Sequence, residues 1–173
     1  MLNPTFYFLT SKKKFTGVYL NCIGYEHQEY YSEQERYDNI SEFFLHKIPI
    51  HPTLPAIYIE DYSFGSHGKV FHIAENTGLL KYKLWDIGLK FNTVAPKAVK
   101  KFATGNGNAD KAKMYEAFVS DTGIQLEQHY GVGSPVSDMV DAYYIAKYGL
   151  QLSQTTKGIG DEKNNSKGIR PKS

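Results

Sequence analysis

The sequence predicts an α/β fold built around one core. Three observations lead to that expectation. Segments with strand and helix periodicity alternate along the chain. Ala56-Ile57-Tyr58-Ile59-Glu60 reads as a buried strand that ends on a carboxylate. A length of 173 residues with 41% hydrophobic content suits a single folded unit. The alternation of strand and helix in the second half implies parallel strand pairs there.

The aromatic, β-rich run Phe6–Thr10 reads as the first strand. Phe15–Ile23 alternates well enough to be its antiparallel neighbour, with Lys12, Lys13 and Lys14 as the turn. Ser32, with Glu35 three residues on, forms a capping box that opens a helix. Tyr37, Ile40, Phe44 and Ile48 then follow at helical spacing, and Pro49 stops the helix. After Pro55 comes the strand 56–60, then a loop marked by Gly65 and Gly68. A helix over Val70–Asp86 has Phe71, Ala74, Leu80, Leu84 and Trp85 as its apolar positions, is weakened by Gly78, and ends at Gly88. Phe91–Ala95 is the next strand, closed by Pro96, and a short basic turn or helix follows. Beyond the loop Gly105-Asn106-Gly107, Asn108 can cap a helix to about Ser120, with Met114, Ala117 and Phe118 inward and Gly123 as the stop. Ser134-Pro135 starts the last helix, which is expected to run to Tyr148 and stop at Gly149. Residues 1–152 thus read as one domain and 153–173 as a disordered basic tail.

Net charge is only +2, so composition alone does not name a partner. Its distribution says more. Five lysines against Asp110 leave Lys97–Lys113 with a local net of +4. Four lysines and an arginine against Asp161 and Glu162 leave Lys157–Lys172 at +3. Such clusters bind phosphate or simply form solvated faces. Cys22 is the only cysteine, which excludes an intrachain disulfide and a cysteine zinc site and fits a reducing compartment such as the cytoplasm. No apolar run is long enough for a transmembrane helix, and no signal peptide is visible at Met1.

Asp138 and Asp141 lie three apart on the last helix and project from one face. Two adjacent carboxylates repel unless a cation lies between them. The same spacing also fits a solvated acidic patch near a helix N-terminus. Glu60 shifts the balance, because sites in open α/β sheets lie beyond the carboxyl ends of the strands. Three converging carboxylates suit hard cations, Mg²⁺ or Mn²⁺, which activate water in phosphodiester cleavage. Asp61 ranks below Glu60, since it points to the other side of the strand or lies past it. Gly105-Asn106-Gly107 is no Walker loop, but glycines beside lysines allow backbone N–H groups to approach a phosphate; a plain turn reads equally well. The histidines show no zinc spacing, and His67 and His72 read as surface or packing residues.

Three segments resemble RuvC-type Holliday junction resolvases. Ile57-Tyr58-Ile59-Glu60 resembles the strand that bears that family's second acidic residue. The run from Val94 to Lys111 resembles its "V-x-P-x-x-V-K-K … G-x-G-x-A-x-K" segment. Asp138-Met139-Val140-Asp141-Ala142 resembles its "D-x-x-D-A" helix. The wording Ile59–Gly65 is similar to phage-encoded members. The resemblance implies an RNase H-like mixed sheet flanked by helices and a Mg²⁺-dependent endonuclease for branched DNA, typically a homodimer, acting in recombination. It implies Glu60, Asp138 and Asp141 as metal ligands, and Lys97, Lys100, Lys101 and Lys111, with Asn106 of the loop, as phosphate contacts. The family's opening "G-I-D" strand, which carries its first metal ligand, has no match, so the chain reads as N-terminally incomplete. Three expectations follow. A complementary polypeptide completes it; or it is a degenerate protein that still binds DNA; or its early residues rebuild the sheet and recruit Asp61, Asp38 or Glu26. The two functional readings are a structure-selective endonuclease that uses metal-activated water, and a catalytically silent DNA-binding protein of the same fold.

Overall fold

The structure, a computed structural model, describes residues 5–10, 19–24, 29–48, 57–62, 70–133 and 135–165. Strands β1 (Thr5–Thr10) and β2 (Tyr19–Gly24) pair antiparallel, with Thr5 opposite Gly24 and Thr10 opposite Tyr19. The hairpin was expected from the sequence; the lysine turn and residues 15–18 lie outside the described residues. Strands β3 (Ile57–Glu60) and β4 (Phe91–Val94) pair in parallel, with Ile57 opposite Phe91 and Glu60 opposite Val94. The Asp61 N–H donates to the Val94 carbonyl at 2.9 Å and extends this ladder by one bond. A single mixed sheet was expected; among the described residues the strands form two separate two-stranded ladders in a helix-rich arrangement.

Helix α1 (Glu33–Lys47) opens as its capping signal predicts. Ser32 Oγ accepts the Glu35 N–H, and the Glu35 carboxylate reaches back to the Tyr31 N–H at 2.7 Å, one residue beyond the cap itself. The stripe Tyr37, Ile40, Phe44 and Ile48 is buried throughout. It meets helix α2 (Val70–Asp86) at Leu80 and Leu84, and the Lys83 ammonium joins the two helices by pairing with Asp38 at 2.6 Å and with Glu42. The expected inward places of Phe71 and Trp85 are corrected. They are 78% and 69% exposed, because they lie roughly half a turn around α2 from the face that carries Leu80 and Leu84.

Helix α3 (Pro96–Thr104) is a full two turns rather than a turn. Pro96 begins it where its missing N–H costs nothing. Gly105, at φ +78°, ends it by donating to the Lys101 carbonyl. Helix α4 (Lys111–Thr122) is capped by Asp110, not by Asn108: Asp110 Oδ1 accepts the Lys113 N–H at 2.9 Å. Asn108 is used one turn earlier, where its N–H bonds the Asn106 side chain. A short helix α5 (Glu127–Tyr130), which no sequence signal announced, precedes α6 (Val136–Asn165).

Helix α6 does not stop at Gly149. It runs on to Asn165, so part of the expected tail belongs to it, and residues 166–173 lie outside the described residues. Gly149 is there for another reason. A Cβ added at this position would lie well inside van der Waals contact with the Tyr58 ring of β3. The glycine lets helix and strand approach. α6 also packs on α3, α4 and β1.

Strand β3 therefore separates two cores. Ile57 and Ile59 face the α1–α2 cluster, while Tyr58, pointing the other way, joins the cluster of Val94, Val99, Met114, Phe118, Val136 and Val140. Glu60 follows Tyr58 by two residues and so projects on the α6 side. Among the described residues, no helix is long and apolar enough to cross a membrane.

Candidate functional site

The site grows out of the carboxyl end of the parallel pair. Glu60 closes β3 in register with Val94, and two residues after Val94 the chain turns into α3. That turn puts Lys97, Lys100 and Lys101 on successive turns of α3 while Val99 and Phe102 pack into the core. On α6, Asp138, Asp141 and Gly149 share one face. Since Gly149 meets Tyr58, the turns before it in α6 run past the end of β3, which brings Asp141 and Asp138 towards Glu60.

The electrostatics show which of these groups act on one another. Glu60 keeps exposed surface, yet its carboxyl is crowded on its inner side. Loss of solvation raises its pKa to about 7; the charge of Asp141 adds to the rise, Lys100 opposes it, and Asp138 adds a further push. Asp141 is raised too, first by burial, with Lys100 pulling down, Asp138 pushing up and Lys111 pulling down. Acids and lysines thus form one interacting set drawn from β3, α3, α4 and α6. Lys111 is held in place, because its Nζ donates to Ser137 Oγ at 3.1 Å. Ser137 in turn lies 3.5 Å from Asp138 Oδ1. The sequence reading missed Ser137; only its position beside Asp138 hinted at it.

The donor chemistry, carboxylates that repel one another, fits a hard divalent cation. The full convergence of three ligands expected from the sequence is not reached: among the described residues, no group of three or more His, Cys, Asp or Glu side chains is set to hold a metal ion. Glu60 and Asp141 form the close-coupled part, and Asp138 stands one turn earlier on α6.

The other candidates have different places. Asp38 pairs with Lys83 between α1 and α2 and does not join the site. Asp61 accepts the N–H of Tyr62 at 2.9 Å, and the Tyr62 ring takes the Lys81 ammonium at 4.4 Å. Glu26 and His67 lie outside the described residues. His72 bonds the Tyr37 hydroxyl at 2.8 Å and lies 3.2 Å from Glu33, so it links α2 to α1.

The loop 105–107 carries the marks of a turn. Asn106 Oδ1 accepts the Asn108 N–H, the Asn106 carbonyl accepts the Ala109 N–H, and the Asn106 N–H donates to Thr104 Oγ1. A Cβ on Gly107 would come within 3.0 Å of the Lys97 carbonyl, so this glycine allows the loop to fold back over the start of α3. Most of the loop's amides are already used, which favours the turn reading over a phosphate cradle.

In the absence of a cation the raised carboxyls make folding stability depend on pH. An unfolded chain releases the Glu60 proton near 4.5, whereas the folded chain holds it up to about 7. Between those values the folded state binds more protons, so stability falls as pH rises and stays lowered above 7. Glu60→Gln removes this contribution. Thermal melts in chelator are expected to show the variant more stable than the parent at pH 8, with the gap closing towards pH 4.5. A gap independent of pH would contradict the crowding of this carboxyl.

No protein-family model matches the chain, and no curated protein matches it significantly. Among solved structures it is similar to the Thermus thermophilus RuvC structure, with a TM-score of 0.57 and 14% identity over 85% of this chain and 87% of that one. At that identity the likeness speaks for the fold: the chain has a RuvC-like fold, and within it Glu60 and Asp141 meet beside Lys100.

Proposed function

We propose that this protein is a metal-dependent, structure-selective DNA endonuclease of RuvC type that hydrolyses phosphodiester bonds in branched DNA. One observation carries the reading: Glu60 and Asp141, from elements some eighty positions apart, are crowded together with Lys100 at the carboxyl end of a parallel strand pair. The RuvC-like fold agrees with it.

Glu60 and Asp141, with Asp138 adjusting from the neighbouring turn, would hold Mg²⁺ or Mn²⁺. Such a cation supplies charge stabilisation to the phosphodiester and lowers the pKa of water. The chain's own residues do the rest. Lys97 and Lys101, exposed on α3, draw in the sugar-phosphate backbone, so binding is expected to weaken steeply with salt. Lys100 sits among the acids and aligns the phosphate that is to be cut. Ser137 keeps Lys111 beside Asp138. Contacts of this kind read the backbone and its path, not base sequence.

A second reading is favoured by one observation, the lack of a ready three-ligand group among the described residues. It is a DNA-binding protein of the same fold that does not cut. Incubating the full chain with a labelled four-way junction and Mg²⁺ or Mn²⁺, beside Glu60→Gln and Asp141→Asn, separates the two. Metal-dependent cleavage lost in both variants supports the nuclease; tight junction binding with no cleavage supports the silent binder.

The reading also includes a homodimer. Phe71, Tyr82 and Trp85 form an exposed aromatic stripe on α2, with the Tyr82 and Trp85 rings 6.0 Å apart. A water-facing stripe of this kind suits a second copy. Trp85→Ala is expected to raise the dissociation constant of the dimer at least about thirtyfold, as read by sedimentation at several concentrations. A chain that stays monomeric at all of them would remove this part of the proposal.

A further inference from the structure

Between α5 and α6 the chain makes a protruding tip. Tyr130 is 56% exposed and Val132 is 85% exposed. The tip is fixed at both ends. The Tyr130 and Gly131 N–H groups donate to the Leu126 and Glu127 carbonyls, each at 3.0 Å, and the Ser137 N–H donates to the Gly133 carbonyl at 2.8 Å. Gly131 at φ +78° and Gly133 at φ +99° bend it in a way that other residues adopt only under strain. Beneath it, Leu126 is buried, and the Glu127 N–H bonds the Tyr115 hydroxyl at 3.0 Å, which ties α5 to α4. The structure therefore holds an aromatic and an aliphatic side chain out in water on a braced support.

Its location gives this exposure a meaning. Ser137, whose N–H donates the tip's last hydrogen bond, also accepts the bond that holds Lys111. Lys111, the last cation of the lysine-rich stretch, is thus tied through Ser137 to the Gly133 end of the tip, so a strand held at Lys111 passes close to it. An exposed aromatic ring near a cation that can hold phosphate suits the flat face of a nucleobase, and that face is open only where bases are unpaired and unstacked.

We propose that Tyr130, backed by Val132, stacks on an unpaired nucleobase of the DNA strand engaged by the Lys97–Lys111 track, so that the tip selects branched or frayed DNA over continuous duplex. This rests on the nucleic-acid reading above and deepens it: the lysines would provide affinity, and the tip would provide preference for structure.

The test is equilibrium binding of the full chain, in chelator, to three DNAs of one sequence: a duplex, a fork with single-stranded arms, and a four-way junction with 2-aminopurine beside the crossover. Tyr130→Ala is expected to weaken fork and junction binding about tenfold with little change on duplex, and to abolish the 2-aminopurine response; Tyr130→Phe is expected to restore both. Val132→Ser gives a smaller loss in the same direction and serves as the second variant if Tyr130→Ala melts early. Equal loss on all three DNAs, no loss on any, or a shift in sedimentation that marks the tip as a contact between copies would overturn the inference. If the parent chain binds none of the three, the proposed function falls as well. If it binds all three and Tyr130→Ala behaves like the parent, only the inference about the tip falls.

Discussion

Glu60→Gln is expected to abolish divalent-metal-dependent cleavage of branched DNA while leaving binding intact. Glutamine keeps the shape of the side chain and removes the charge. In the folded protein that charge faces Asp141 and Asp138, a repulsion that a cation would relieve and that Lys100 only partly offsets. Losing one of two close-coupled carboxylates should lower the cleavage rate by about a thousandfold or more, equivalent to several kcal/mol of lost charge stabilisation. Metal-free affinity for DNA should hold or rise, because a negative charge beside the phosphate path is gone. Single-turnover cleavage and chelator-bound affinity, measured on the same preparation, separate the two effects. The same substitution should make the protein more stable at pH 8, because the crowded Glu60 charge is gone. A variant that cuts as well as the parent would remove Glu60 from the chemistry. A variant that loses binding as well would instead point to a folding role. Unfavourable crowding retained at a site for the sake of activity is a common trade between stability and function.

Gly149→Ala is expected to destabilise the protein by about 2 kcal/mol and to lower Tm by roughly 4–8 °C. Taken alone, alanine inside a helix should help, since glycine there costs about 1 kcal/mol. The Tyr58 ring reverses the sign, because it occupies the space that a Cβ would need. To make room, α6 must move off β3. As Gly149 shares its face with Asp141 and Asp138, the shift would also carry those carboxylates away from Glu60. Cleavage should therefore fall with stability, and the Glu60 titration should move back towards its ordinary value. Tyr58→Leu in the Gly149→Ala background should recover part of the loss, and a double-mutant cycle would measure the coupling. If Gly149→Ala raises Tm, the close approach of helix and strand is not what the glycine serves.

Much of the local structure was legible in the residues. Ser32 and Glu35 announced α1, and its stripe Tyr37, Ile40, Phe44 and Ile48 is buried as the spacing required. The parallel pairing of 57–60 with 91–94 followed from strand–helix alternation. Helix periodicity shows only which residues share a face, and not always which face the rest of the molecule covers. Phe71 and Trp85 are apolar positions of the α2 pattern that face water, whereas Leu80 and Leu84 occupy the side that α1 meets. Asn108 and Asp110 are both good capping residues; Asn108 lies inside the Asn106 turn, and it is the Asp110 side chain that accepts the Lys113 N–H. Gly149 shows the same limit: a glycine after an apolar helical run reads as a stop, and its real neighbour, Tyr58, is ninety-one positions away in the chain.

The sequence by itself determined the order of the elements, the lysine-rich stretch from 97 to 113, and the presence of carboxylates at 60, 138 and 141, because propensity, capping and charge are local properties. Only the tertiary structure decided that Glu60 and Asp141 press on one another while Asp38 is drawn off to Lys83, that the 105–107 loop spends its amides on itself, and that Tyr130 is held out in water. The physical reason is common to all three. Crowding, pairing and exposure depend on which groups the folded backbone brings alongside: the packing of α6 on β3, with Tyr58 against Gly149, for the acids, and the packing of α1 on α2 for Asp38.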